Sequence, residues 1–212
     1  MKGKPTPEGY KVFALCDSGY TWTFLPVSRV TKSNEIENDD ESKLGVIARL
    51  VIHLVQQLPK NQRFNVYMDR YFSSIPLFSY LRSKGIGACG TVRPNTAKFP
   101  KQLKLKYSIE RKLPWNTLSG VVVDDVLALI WKDNSVVKML TTIHEAQGDK
   151  WKTERRRRRP RITQTNRAQV EEAWGNSRQK TVGIPKVIDD YNYHMGGVDI
   201  ADQYRSYYHT QI

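Results

Sequence analysis

Two short runs of β-branched and aromatic residues in this chain each end at an aspartate. Residues 10–17 (YKVFALCD) end at Asp17, and residues 63–69 (RFNVYMD) end at Asp69. Between them, residues 43–58 carry apolar side chains at helical spacing until Pro59. Residues 74–83 predict a second helix, with Pro76 in its first turn. Strands that alternate with helices predict an α/β fold.

The rest of the chain predicts shorter elements. Residues 20–27 complete a hairpin after the Gly19 turn, and residues 85–93 form another strand. Residues 120–131 and 135–143 predict the two strands of a hairpin, with its turn at residues 132–134. Residues 31–42 predict a polar loop. Residues 190–208 predict a final helix, although Gly196 and Gly197 interrupt its start.

The charge of the chain indicates a polyanionic partner. Its 212 residues include 34 Lys and Arg against 21 Asp and Glu, a net charge of +13. Such an excess is typical of nucleic-acid-binding proteins. Residues 150–180 alone hold eleven Lys or Arg and three Glu, and predict a mobile basic loop. No stretch reaches the roughly 18 to 20 apolar residues of a membrane span, so we expect no membrane partner.

Three aspartates are candidates for metal chemistry. Asp17 and Asp69 end strands, and Asp199 lies near the start of the last helix. Adjacent strands that both end in a carboxylate can bring such residues to one sheet edge. Clustered carboxylates repel one another, so at neutral pH they require a divalent cation, and oxygen ligands select Mg²⁺ or Mn²⁺. Two such ions would support phosphoryl transfer on DNA.

A plainer interpretation of the same aspartates stays open. Asp17 and Asp69 would then accept hydrogen bonds from backbone N–H groups in turns after their strands. Asp199 would be an N-cap or a first-turn residue that faces the positive end of the helix dipole.

Longer motifs around these aspartates resemble the piggyBac transposase family. Four of them occur in the family's order: LCDSG at 15–19, MDRYFSSIPL at 68–77 followed by GTVRPN at 90–95, WKDNSVVKMLTTIH at 131–144, and YNYHMGGVDIADQ at 191–203. The last is the most specific, because a string of that length and composition is rare.

The resemblance implies an RNase H-like mixed sheet with flanking helices, interrupted by a basic, partly β insertion. Residues 1–93 and 185–212 would form the catalytic core, and residues 94–184 the insertion. By the same resemblance Asp17, Asp69 and Asp199 bind Mg²⁺ or Mn²⁺, and Asp202 is the additional aspartate one turn on. Family members cut transposon ends and insert them into target DNA in the nucleus, and they form homodimers.

Two regions typical of the family are not among these residues. One is an N-terminal region that binds transposon ends, and the other is a C-terminal Cys-rich zinc domain, which Cys16 and Cys89 alone cannot build. We therefore expect a truncated or domesticated core.

An arginine run within the basic stretch has three interpretations. It can be a solvated charge run, a loop that contacts phosphates, or a nuclear-import signal. Trp115, Trp151 and Trp174 nearby are either core anchors or stacking platforms for unpaired bases. The run comprises Arg155, Arg156, Arg157, Arg158, Arg159 and Arg161.

Two functions therefore compete. The first is a metal-dependent catalytic core that cleaves DNA and transfers strands. The second is a non-catalytic, nucleic-acid-binding remnant of a transposase, in which the charge persists and the chemistry is lost.

Overall fold

A computed structural model of the protein describes residues 11–27, 44–145 and 151–208. The chain divides into two compact units. One unit lies within Met1–Gln62 and His194–Ile212, and the other is Arg63–Tyr193. The predicted loop at 31–42 falls outside the described residues.

The first unit is a hairpin with two helices against it. Strands β1 and β2 pair antiparallel, and both helices contact both strands. The predicted hairpin and the predicted helix before Pro59 are thus confirmed. The elements are β1 (Val12–Asp17), β2 (Tyr20–Pro26), α1 (Val46–Val55) and α6 (Gly197–Ser206).

The second unit is built around a mixed five-stranded sheet in the order β3-β4-β7-β6-β5. β3 and β4 are parallel and joined by a helix, and the other neighbours are antiparallel. The elements are β3 (Asn65–Met68), α2 (Ile75–Ser83), β4 (Gly87–Thr91), a 3₁₀ helix (Lys101–Leu103), α3 (Tyr107–Lys112), β5 (Leu118–Val123), β6 (Val126–Lys132) and β7 (Val136–Thr141).

Helix α2 begins where the sequence predicts it. Ser74 is its N-cap and accepts a hydrogen bond from the Leu77 backbone N–H at 3.4 Å. Pro76 in the first turn has no N–H to satisfy, so it fits there without cost. The helix buries Phe78 and Leu81 completely or almost completely.

The prediction of one strand over residues 120–131 is wrong. Asp124 and Asp125 have φ angles of 49° and 61°, and Val123 pairs with Val126 across them. Two central residues with positive φ define a tight type I′ hairpin turn, and aspartate tolerates that conformation. The run therefore folds as β5 and β6, which continue into β7 through the predicted turn.

The prediction of a mobile loop over residues 150–180 is also wrong. The basic stretch forms β8, which pairs with β9 as an antiparallel two-stranded ribbon. Val182 and Ile184 of β9 join a core cluster with Leu129, Trp131 and Met139, so the ribbon is anchored on the sheet. The elements are β8 (Lys152–Arg158), α4 (Arg167–Trp174), β9 (Gln179–Pro185) and α5 (Lys186–His194).

The architecture is thus mixed α/β, as predicted. β4, from the predicted core, pairs with β7, from the predicted insertion, so a single sheet crosses the expected boundary at residue 94. The RNase H-like arrangement and the division into a core and an insertion stay predictions. In the part of the chain that the structure describes, no helix has the length and apolar character to cross a membrane.

Candidate functional site

Asp17 is the last residue of β1 and leads into a two-residue turn. Ser18 and Gly19 have φ angles of 49° and 91°, the pattern of a type I′ turn. The Asp17 carboxylate is exposed, and its Oδ1 accepts a hydrogen bond from the Ser18 hydroxyl at 3.0 Å. A Cβ at Gly19 would lie 2.6 Å from the Tyr204 ring. The turn that carries Asp17 is therefore held close to α6.

Asp199 lies in the first turn of α6, and a glycine sets the position of that turn. A Cβ at Gly197 would lie only 2.8 Å from the Cys16 carbonyl oxygen. The start of α6 therefore lies directly against the end of β1, and both Asp17 and Asp199 are exposed there. The fold brings into one unit two carboxylates that are 182 positions apart in the sequence.

Asp202, one helical turn after Asp199, has a different environment. It is exposed and forms an ion pair with Arg205 on the same helix. Exposed pairs of this kind contribute little stability, so Arg205 is easily displaced by a competing cation.

Asp69 heads the turn between β3 and α2 in the other unit. Its Oδ1 accepts a hydrogen bond from the Tyr71 backbone N–H, and its carbonyl oxygen accepts one from the Phe72 N–H at 3.0 Å. The side chain stays exposed. This turn is what the plainer interpretation predicts, and it also fixes the orientation of the carboxylate.

β1 and β3 lie in separate sheets. The expectation that Asp17 and Asp69 end adjacent strands of one sheet is therefore wrong. Among the described residues, no group of three or more His, Cys, Asp or Glu side chains is placed to hold a metal ion. The donor chemistry nevertheless fits Mg²⁺ or Mn²⁺, since Asp17, Asp69 and Asp199 offer exposed carboxylate oxygens. That the three form one site stays a prediction.

The arginine run is a strand with two different faces. Arg155 donates two hydrogen bonds to the Asp189 carboxylate, at 2.7 and 2.6 Å. Arg157 does the same with Asp133, at 3.1 and 2.7 Å. Successive side chains of a strand point to opposite faces, so this face is occupied by structural ion pairs.

The other face of β8 carries arginines without such partners. Arg156 and Arg158 are exposed, and in the described part of the chain neither guanidinium forms a hydrogen bond or ion pair. They lie opposite Thr181 and Gln179 of β9, which are also exposed. Arg161, just beyond the strand, is exposed too. The basic run thus presents a polar, cationic surface on one side only.

Two of the three tryptophans near the basic stretch are core residues. Trp115 and Trp174 contact each other edge to face, with ring centroids 6.2 Å apart, and Trp174 is buried. Trp115 Nε1 also donates to Asp133 at 3.2 Å. Trp151 is half-buried, with the Lys152 ammonium 4.2 Å above its ring.

Sequence reasoning missed a polar network at the end of β7. His144 Nδ1 lies 2.8 Å from the Thr141 hydroxyl, and His144 Nε2 lies 2.9 Å from Asp190 on α5. Burial raises the pKa of the nearby Cys89 thiol to about 12, and the Asp190 charge adds to the rise. Nothing in the sequence indicates that a histidine after a strand pairs with an aspartate 46 residues later.

Comparisons with known proteins identify a family and several relatives of this chain. A family model described as Transposase IS4 matches residues 1–212. PiggyBac transposable element-derived protein 2 of Homo sapiens is 28% identical over 148 residues, which are 65% of this chain and 23% of the relative. PiggyBac transposable element-derived protein 3 of Homo sapiens is 25% identical over 221 residues, which cover 100% of this chain and 32% of the relative.

A solved structure is similar in fold. It is the cryo-EM structure of the piggyBac transposase synaptic complex with hairpin DNA, with a TM-score of 0.64 and 19% identity over 97% of this chain and 36% of that chain. The full-length family match defines the class of protein as a transposase. The chain belongs to the piggyBac-type transposase family, and it spans about a quarter to a third of the length of the two curated relatives named above.

Proposed function

We propose that this chain supplies the catalytic core of a piggyBac-type DNA transposase, which cleaves DNA and transfers strands with Mg²⁺ or Mn²⁺. The observation that carries the proposal is the contact between the start of α6 and the end of β1. Through Gly197 and the Cys16 carbonyl, it brings the elements that bear Asp199 and Asp17 together. Each aspartate would be exposed even without this contact, so exposure alone does not account for it.

Asp17, Asp69 and Asp199 would hold the metal ions. The bound ions would activate a water or a 3′-hydroxyl and stabilise the leaving oxygen of a phosphodiester. The protein's own part is to fix the carboxylates. The type I′ turn limits the motion of Asp17, and the Tyr71 N–H orients Asp69. Asp202 would support Asp199 after releasing Arg205.

DNA is the proposed partner, either transposon ends or target DNA. The similar solved structure is named as a complex with hairpin DNA, and this supports the proposal. The outer face of β8, with Arg156 and Arg158, would contact phosphates without reading sequence. A homodimer and a nuclear location belong to the same proposal.

Metal titration into the purified chain tests the site first. We expect Mn²⁺ binding by calorimetry that Asp17→Asn, Asp69→Asn and Asp199→Asn each weaken at least tenfold. Asp125→Asn is the matched control, because it removes the same charge at an exposed turn where asparagine tolerates the φ of 61°. Equal Mn²⁺ affinity in all four variants would contradict the assignment of Asp17, Asp69 and Asp199 as metal ligands.

Strand cleavage is the second test. Wild-type protein with transposon-end DNA and Mn²⁺ should cleave, and Asp69→Asn should lose at least two orders of magnitude in rate. If folded wild-type protein binds the metal but never cleaves, the chain retains a site without the activity.

A non-catalytic DNA-binding protein is the second candidate function. The exposed arginines on the outer face of β8, Arg156 and Arg158, favour it, since they can contact phosphates without a metal site. It predicts that DNA affinity falls steeply with salt and is unchanged in Asp17→Asn.

A further inference from the structure

A cavity of about 270 Å³ lies within the unit Arg63–Tyr193, and none of Asp17, Asp69, Asp199 and Asp202 lines it. Its wall is formed by α3, by the end of β6 and the turn into β7, and by α4 with the residues before it. It is slightly smaller than the roughly 300 to 1,000 Å³ of typical ligand pockets, so it suits a small ligand.

Lys132 lines this cavity, and its environment indicates an anionic ligand. The residue is only 4% exposed. In the described part of the chain, its amine forms no hydrogen bond or ion pair. Burial of the residue removes the amine from bulk water, and this disfavours its charged form. Desolvation accordingly lowers the pKa of Lys132, while the charges of Glu110 and Asp133 oppose that shift.

The two acidic residues near Lys132 are both engaged elsewhere. Glu110 forms an ion pair with Lys138, and Asp133 forms one with Arg157. Their negative charges are thus matched by other cations. Neither carboxylate forms an ion pair with Lys132, although both charges still act on it, and Glu110 itself lines the cavity.

The amide side chains in the wall are used for structure. Asn166 donates to Asn134 Oδ1 at 2.7 Å and to the Arg161 carbonyl at 3.1 Å, and its Oδ1 accepts from the Thr163 N–H at 2.7 Å. Gln169 donates to the carbonyls of Arg111 and Leu113 at 2.8 and 2.9 Å. These bonds tie α4 and the residues before it to the end of α3, and so fix part of the cavity wall.

We propose that this cavity binds a phosphate group, with Lys132 at its inner end and Arg111 at its rim. The Ser135 hydroxyl also lines the cavity and can donate to a phosphate oxygen. Two cations and a hydroxyl line one cavity against a single carboxylate, that of Glu110, which is paired with Lys138. Such a lining fits a terminal phosphate, which carries more charge than a backbone phosphodiester. The source is either the 5′-end of a nucleic-acid strand or a free phosphate compound.

An NMR titration of the full chain at constant ionic strength tests the proposal. The probes are inorganic phosphate and a short oligonucleotide with or without a 5′-phosphate. Saturable binding of inorganic phosphate is expected, with shifts confined to residues around the cavity. If the 5′-phosphorylated oligonucleotide binds more tightly than the unphosphorylated oligonucleotide of the same sequence, the phosphate group comes from a strand end. Equal binding of the two oligonucleotides identifies a free phosphate compound.

Lys132→Met should weaken phosphate binding at least tenfold. Lys112→Met is the matched control, because it removes the same charge from α3 at an exposed position outside the cavity. Methionine at 132 removes a buried charge, so the variant should melt at or above the wild-type temperature. Arg111→Gln, at an exposed position, gives a second variant that keeps the core intact.

Two results would overturn the proposal. One is the absence of saturable binding of either phosphate probe to the folded wild type. The other is an equal loss of affinity in Lys132→Met and Lys112→Met. None of Asp17, Asp69 and Asp199 lines the cavity, so the cleavage experiments neither support nor contradict this proposal.

Discussion

Arg157 is held on one face of β8 by two kinds of contact. Its guanidinium donates twice to Asp133 and lies 5.6 Å from the centre of the Trp131 ring. Trp131 is itself buried and donates from Nε1 to Asn116 at 2.7 Å. The arginine therefore links the ribbon to the sheet, and its neighbour Arg156 has no such role.

Substitution of these two arginines should separate stability from DNA binding. Arg157→Gln should lower the free energy of unfolding by about 1 to 3 kcal/mol, because it breaks charged hydrogen bonds of a half-buried pair. Arg156→Gln should change it by less than about 0.5 kcal/mol, as for other surface sites. Urea unfolding followed by circular dichroism measures both, and equal losses would contradict the two-faced strand.

Cys89 should make the free energy of unfolding decrease at alkaline pH. Its thiol is fully buried, and its pKa is raised from 9.0 to about 12. Between these values the unfolded chain has lost the thiol proton and the folded chain keeps it. The free energy of unfolding should therefore be intact below pH 9 and fall on the order of 1 kcal/mol per pH unit above it.

Cys89→Ala should remove that dependence. The comparison is best made between pH 9 and 10, because Tyr67 is raised from 10.0 to about 12 and contributes only above that window. Cys16→Ala serves as the matched control, because it removes the other cysteine of the chain. If Cys89→Ala shows the same slope as wild type, the thiol is not the group that titrates.

The contact between α6 and β1 depends on one glycine. Gly197→Ala should lower the free energy of unfolding by about 1 to 3 kcal/mol, since its Cβ would lie 2.8 Å from the Cys16 carbonyl oxygen. It should also weaken Mn²⁺ binding, because Asp199 moves with the helix.

The neighbouring glycine provides the control. A Cβ at Gly196 meets nothing within 4 Å, and its φ of −82° suits alanine. Gly196→Ala should change stability by less than about 1 kcal/mol, because a poorer N-cap and a less flexible unfolded chain offset each other. Denaturation curves in which Gly196→Ala is the weaker variant would contradict the close approach at Gly197.

Local patterns predicted most elements and missed those that depend on distant partners. The helix at Ser74 follows from a cap and a proline within the segment itself. The strand formed by the arginines does not, because β8 exists only where β9 pairs with it and Val182 and Ile184 reach the core. The turn at Asp124 and Asp125 was missed for another reason, since uninterrupted apolar residues on both sides resemble one longer strand.

For the candidate site, the sequence predicted where each aspartate lies within its element. Asp17 does end a strand, Asp69 directly follows one, and Asp199 does lie in the first turn of a helix. The sequence could not predict strand pairing, which places β1 and β3 in separate sheets. The sequence also could not predict that Arg157 lies on the face of β8 that forms ion pairs and Arg158 on the outer face. The register of strand pairing decides which arginines face the core.

Charge is divided unequally between the two units. Arg63–Tyr193 holds 25 Lys and Arg against 12 Asp and Glu, a net charge of +13. The remaining residues hold nine of each sign and are neutral. Two of the three proposed metal ligands thus belong to the neutral unit, and all of the net positive charge belongs to the other. Electrostatic attraction of DNA should be a property of Arg63–Tyr193 alone.

A fragment comprising residues 63–193 tests this division. The segment is continuous and forms a compact unit with its own sheet and core cluster, so we expect it to fold with a cooperative thermal transition. Its affinity for a short DNA duplex should be within about threefold of that of the whole chain and should fall with salt at the same slope. The measurement is fluorescence anisotropy across a salt series.

Arg156→Gln with Arg158→Gln in that fragment should reduce the magnitude of the salt slope by about two, because each phosphate contact contributes roughly 0.9 to the slope. Lys98→Gln with Lys112→Gln is the matched control for charge. Lys98 is paired with Asp124, and both lysines lie off the ribbon, so the slope should change less. If the two double variants change the slope equally, DNA affinity depends only on the net charge of this unit. The outer face of β8 is then not the surface that contacts DNA.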